Sequence, residues 1–214
     1  MDTMDTPATA QRSMRADARH NYECLLRAAH EVVAEHGSDA SLEEIARRAC
    51  VGVGTLYRHF PNRQALLEAV FNHQMTALVA RSDELLTSPS PGEALVTWLH
   101  DLLVFSTTYR GLSACVLIAT LDENSEATKL SRAKSHVAAA LLARAQEAGA
   151  VRADITSADV GRLIHGIALA TEKLPDRLTQ AERLFEIVLD SLWLQKPVPS
   201  EENISPEGES RQQR

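Results

Sequence analysis

Between Ser41 and Asn62 the chain carries three start and stop signals at short intervals: SLEE (41–44), VGVG (51–54) and the pair Pro61-Asn62. The Ser41 hydroxyl can take a free backbone N–H, and Glu44 can reach back to the cap residue, so a helix begins at Leu42. Two closely spaced glycines end it near Cys50. A second short helix runs to His59 or Phe60, where Pro61 stops it, and Asn62 caps a longer one. Ile45, Ala46 and Ala49 share one side of the first short helix, while Leu56 and Phe60 are core positions in the second.

Helical spacing continues on both flanks. From Arg19 to His36 the apolar residues Leu25, Leu26, Ala29, Val32 and Val33 recur at three and four, and Gly37 ends the run. Beyond Asn62, residues Leu66, Leu67, Val70, Phe71, Met75, Leu78 and Val79 keep that spacing to about Leu86, a helix long enough to connect two regions. SPSPG (88–92) breaks the chain, and further helices are expected at roughly 92–109, 111–122, 125–148, 157–173 and 179–195. TSAD (156–159) repeats the capping logic. Aromatic residues make up only 4% of the chain, and alanine, leucine, glutamate and arginine recur throughout. The fold class is therefore all-α. The expected domains are a disordered leader (1–14), a three-helix unit (15–72, its paired short helices at about 41–60), a helical domain (73–196) and a solvated tail (197–214).

The formal charge of -7 opposes nucleic-acid binding in the aggregate. Up to residue 60 the bases Arg12, Arg15, Arg19, Arg27, Arg47, Arg48 and Arg58 face nine acids, so a DNA contact requires a sorted face. Two short helices joined by a tight turn, braced by a third, match the helix-turn-helix plan, which lays its second helix in the major groove. Gly52 and Gly54 let the second helix bring its backbone close to DNA. Thr55, Tyr57, Arg58 and His59 then supply hydroxyl and cationic contacts.

The stretch SLEEIARRACVGVGTLYRHFPNRQALLEAV resembles the DNA-binding signature of the TetR family of bacterial transcriptional regulators, over roughly residues 20–72. The resemblance implies that Thr55, Tyr57 and Arg63 contact phosphates, and that Val53, Gly54, Arg58 and His59 lie near bases or adjacent backbone. Ser41 presents N–H groups and a hydroxyl to a phosphate. Arg58 has two readings, a guanine-edge contact or a phosphate clamp. Three residues depart from the pattern. Cys50 stands at the turn where glycine is common, and a left-handed non-glycine residue costs about 1 kcal/mol. Glu43 stands where some relatives place a basic contact, and Tyr22 where arginine is common. The basic residues Arg12, Arg15 and Arg19 are candidates for a minor-groove arm.

Downstream, the segments from Arg110 onward are similar in layout to the ligand-binding and dimerisation domain of such regulators. The last two helices carry Leu163, Ile164, Ile167 and Leu169, then Leu184, Ile187, Val188, Leu192 and Trp193, an apolar arc too wide to be covered from one side. Leu163, Ile167, Leu184, Val188 and Leu192 are the expected homodimer interface. Met75, Trp98, Phe105, Tyr109, His136 and His165 are the candidate pocket for a small-molecule effector.

No Ser-His-Asp spacing, glycine-rich phosphate loop or HExxH pattern supports an enzyme, His100-Asp101 and Cys115 notwithstanding, and no metal or cofactor site is read. Cys24, Cys50 and Cys115 are expected as free thiols. The start lacks a secretory signal and no apolar run could span a bilayer, so the expected compartment is the cytoplasm. The expected function is a DNA-binding regulator that occupies a palindromic operator as a dimer, a repressor released by an effector. The alternative is a helical ligand-binding or protein-interaction module without specific DNA binding.

Overall fold

A computed structural model describes residues 7–109 and 125–194. The helix expected at 111–122, Cys115 and the tail from 197 onward lie outside the described residues. Helix α1 (Pro7–His36) leads through a 3-10 turn (Gly37–Asp39) to α2 (Leu42–Arg48), α3 (Val53–His59), α4 (Arg63–Ala80) and α5 (Ser82–Thr87). Helices α6 (Pro91–Thr108), α7 (Glu126–Glu147), α8 (Ser157–Thr171) and α9 (Arg177–Leu192) follow. The remaining regular pairing among the described residues is one isolated antiparallel bridge, Val151 with Trp193. No described helix is long and apolar enough to cross a membrane.

Residues 7–14 correct the expectation of a disordered leader, because α1 begins at Pro7. Polar composition removes apolar periodicity but not helix propensity. Ala8, Ala10, Gln11, Arg12 and Met14 are good helix formers, and extending a docked helix needs no new nucleus.

Two apolar clusters organise the chain. The first gathers Leu25, Ala29, Val32 and Val33 of α1 with Ile45, Leu56, Phe60, Leu66, Leu67 and Val70. The second gathers Met75 and Leu78 with Trp98, Leu103, Leu141, Ile164 and Phe185 from the later helices. Helix α4 serves both, its first half packing into one cluster and its second into the other. Phe71 and Phe105 pack against both clusters, edge to face with ring centroids 5.1 Å apart. Tyr109, at the end of α6, is buried in the first cluster and hydrogen-bonds His30 of α1. The end of α6 is thus built into the N-terminal unit.

The connecting helix does not run unbroken to Leu86 as its spacing predicts; α4 ends at Ala80 and α5 starts at Ser82. Buried Ser82 turns its hydroxyl back to the Val79 carbonyl at 2.6 Å, competing with the helix ladder. Arg81, at the break, reaches Asp101 of α6 at 3.0 Å. From α7, Arg144 donates to the Leu85 and Ser88 carbonyls, a cation at the C-terminal end of α5.

The turn between α2 and α3 closes as the sequence suggests, and at the anticipated cost. Cys50 has φ +55°, with its own N–H on the Arg47 carbonyl at 3.1 Å and that of Val51 on the Ala46 carbonyl at 3.0 Å. This Schellman closure favours glycine. The end of α7 uses the same closure with Gly149 at φ +69°. Cys50 is exposed, so little packing offsets its backbone strain. Cys50→Gly is expected to stabilise the protein by about 1 kcal/mol, read in urea as a higher midpoint with an unchanged slope.

Candidate nucleic-acid interface

Helix α3 divides its residues cleanly. Leu56 and, just after it, Phe60 are buried in the N-terminal cluster. On the opposite side Val53, Gly54, Tyr57 and Arg58 are exposed, with Tyr57 46% accessible, while Thr55 and His59 are half-buried at the margins. Tyr22 of α1 lies beside this end, stacked on Phe60 at 5.2 Å and edge-on to His59 at 5.9 Å. A Cβ added at Gly52 or Gly54 would meet nothing within 4 Å, and neither residue has a positive φ. Nothing inside the protein requires glycine at these two positions.

The cations of this region have separate employments. Arg48 grips Glu35 of α1 through two contacts of 2.7 Å and Glu44 through a third, fastening α2 to α1. Its guanidinium is held above its ordinary pKa, by Glu35 first and Glu44 second. Arg47 also binds Glu44, whose carboxyl is held below its usual range by Arg47 and then Arg48. Arg19 is paired with Glu23 at 3.0 Å. Arg63 is half-buried and donates to the Ala40 carbonyl at 2.6 Å, so part of its guanidinium pins α4 to the turn before α2. Arg58 is exposed and forms no ion pair among the described residues.

At the start of α2 only half of the expected capping box forms. The Ser41 oxygen accepts from the Glu44 N–H at 3.3 Å, but the Glu44 carboxylate is held by Arg47 and Arg48 rather than reaching back to Ser41. The Ser41 hydroxyl instead donates to Glu43 at 2.9 Å. The Glu43 carboxyl lies below its ordinary pKa because its own backbone N–H and then the Ser41 hydroxyl donate to it. A carboxylate thus stands where the resemblance expects Ser41 to meet a phosphate. At Thr156, by contrast, both halves of the capping box with Asp159 are present.

The six pocket candidates do not converge. Met75 and Trp98 are buried in the second cluster. Phe105 and Tyr109 border a cavity of about 220 Å³ between α1, α4 and α6. His165 borders a larger one of about 540 Å³ between α6, α7 and α8, and His136 is exposed on α7 and borders neither. Of the interface candidates, Leu163 and Leu184 are exposed and Val188 is partly buried. Ile167 and Leu192 are turned into the protomer's own core. Asp101 is ion-paired with Arg81, and a ring nitrogen of His100 lies 3.2 Å from a Glu182 carboxylate oxygen. Helical spacing identified the apolar residues; it did not assign them to cavity, core or surface. The Arg48–Glu35 grip and the Tyr109–His30 bond carry no local sequence signal at all.

An outward-facing short helix, braced on a three-helix core and joined by a shared helix to a second helical domain, defines a helix-turn-helix DNA-binding regulator. Residues 25–70 match the family model described as bacterial regulatory proteins, tetR family, and residues 90–193 match the C-terminal domain of SbtR-like transcriptional regulators. The chain belongs to the TetR family of bacterial transcriptional regulators. It is similar to the TetR transcriptional regulator SCO0520 from Streptomyces coelicolor, at 37% identity and TM-score 0.63, over 80% of this chain and 97% of that one. The TetR regulatory protein from Mycobacterium vanbaalenii is 34% identical with TM-score 0.61, over 85% of this chain and 99% of that one. The HTH-type regulator SAR0097 of Staphylococcus aureus is 33% identical over 79 residues, which span 36% of this chain and 41% of that relative.

The carboxylate of Glu43 repels any phosphate brought to the start of α2. Glu43→Gln is expected to tighten binding to duplex DNA roughly two- to fivefold, as measured by fluorescence anisotropy at low salt.

Proposed function

We propose that the chain is a homodimeric repressor that occupies a two-fold symmetric operator and is released by a small-molecule effector. The observation that carries the DNA reading is the outward face of α3. Val53, Gly54, Tyr57 and Arg58 are exposed there, and two glycines with no internal role leave the backbone open to close approach. Thr55 and Tyr57 take phosphates and Arg58 takes a base edge, with His59 and Arg63 at the margin.

The dimer is supported by an apolar surface that one protomer does not cover. Leu163 and Leu169 of α8 and Leu184 and Ile187 of α9 are exposed, with Leu169 67% and Ile187 59% accessible. Pairing α8 and α9 with their counterparts in a second copy makes a four-helix interface and presents two copies of α3 to two half-sites. Release follows from linkage: an effector that prefers the spacing of α3 helices unsuited to the operator weakens operator binding by the same factor. Helix α4, Phe105 and the Tyr109–His30 contact join the helical domain to the reading unit.

Selection of bound fragments from the source genome by the full chain is expected to recover a site with two-fold symmetry. Recovery of unrelated sequences alone would sink the operator reading. On that site Arg58→Ala is expected to cost about 1–3 kcal/mol and relax preference at one base position. A uniform loss, with a salt slope about 1 smaller, would make Arg58 a phosphate clamp instead. Replacing Leu163 and Ile187 together by aspartate is expected to give monomers in sedimentation and to abolish binding to the two-fold site.

A further inference from the structure

The cavity between α6, α7 and α8 has a volume of about 540 Å³, within the range of roughly 300–1,000 Å³ that holds small organic molecules. Its lining has a definite charge. Lys134 of α7 and Arg162 and His165 of α8 border it with the hydroxyls of Ser106, Ser135 and Ser157, and none of the described lining residues is acidic. Leu102 and Ala138 add an apolar wall.

The two permanent cations differ in what already answers them. Arg162 donates to Asp159 at 3.0 Å, and that carboxylate also accepts from the Thr156 hydroxyl and N–H. Lys134 makes no hydrogen bond or ion pair among the described residues. Burial pushes its ammonium below the usual lysine range. Lys134 is partly buried, and such a cation beside a cavity whose described lining has no acidic residue is compensated when an anion enters.

We infer that this cavity binds a small organic anion, a carboxylate or phosphate ester with polar groups for the serine hydroxyls, and that Lys134 binds its charged group. The inference rests on the effector reading above and assigns that effector its chemical class. Ligand binding here is non-covalent, and charge complementarity does the discriminating. An uncharged molecule of the same shape leaves Lys134 uncompensated and gains less.

The test titrates the full chain with three anions, each matched to an uncharged counterpart: octanoate with octan-1-ol, gluconate with sorbitol, and glucose 6-phosphate with glucose. Calorimetry and thermal unfolding are the readouts. At least one anion is expected to bind and raise the unfolding temperature, with its counterpart at least tenfold weaker. The carboxylate and phosphate arms identify which headgroup is preferred. Lys134→Gln is expected to weaken the anion at least tenfold while leaving the ligand-free unfolding temperature unchanged, because the lysine makes no hydrogen bond or ion pair among the described residues. Lys134→Arg is expected to retain binding. Absence of binding by all three anions, equal binding of the counterparts, or an anion response unchanged in Lys134→Gln would each overturn the inference. Binding to genomic fragments is measured on the same preparation. Retained DNA binding without anion binding overturns this inference alone, whereas anion binding without selective DNA binding overturns the operator reading alone.

Discussion

Helix α4 has to be buried twice, and the rest of the molecule is arranged around that constraint. Leu66, Leu67 and Val70 enter the N-terminal cluster while Met75 and Leu78 enter the second. A single apolar stripe would serve one core; residues on different sides of one rod serve two. Each buried aliphatic side chain contributes roughly 1.5–3 kcal/mol, whereas the Tyr109–His30 bond contributes about 1 kcal/mol. Packing along α4 therefore keeps the two units together, and the bond at the end of α6 sets how they meet. With Phe71 and Phe105 wedged at the boundary, a shift of α6 cannot leave the N-terminal unit untouched.

The acidic balance of the chain and the exposed face of α3, which we propose meets DNA, are reconciled by where the cations are spent. Arg47 and Arg48 neutralise Glu44 and Glu35 inside the three-helix unit, and Arg63 partly serves the Ala40 carbonyl. Exposed ion pairs of this kind contribute little individually. The doubly hydrogen-bonded Arg48–Glu35 contact adds geometry to that small energy, fixing α2 against α1 and so the angle at which α3 is offered. Arg58 remains directed outward. Net charge is a sum over the whole surface; a groove senses the few residues within a Debye length of it.

Much of the N-terminal unit was legible because its signals are local. The caps at Ser41 and Asn62, the stop at Pro61 and the inward positions Leu56 and Phe60 all follow from neighbours a few residues away, and all appear in the structure. The strained turn at Cys50 was legible for the same reason. The helical domain was less so. Trp98 and Met75 have the character of pocket residues, yet α6 and α4 turn them into the core, while Lys134, in an unremarkable polar stretch of α7, borders the larger cavity.

What the amino-acid order determined by itself is most of the described helices, the caps at Ser41, Asn62 and Thr156, the stop at Pro61, and the family signature on α2 and α3, because these depend on hydrogen bonds and sterics within one or two turns. What only the tertiary structure decided is which side of each helix meets a neighbour. Ile167 and Leu163 lie four residues apart on one helix, and one is buried while the other is left exposed. Glu35 and Arg48 become partners only when α1 and α2 pack, and His30 meets Tyr109 only because α6 ends against α1. Such contacts join distant parts of the chain, and their free energy exists only once the cores have assembled around α4.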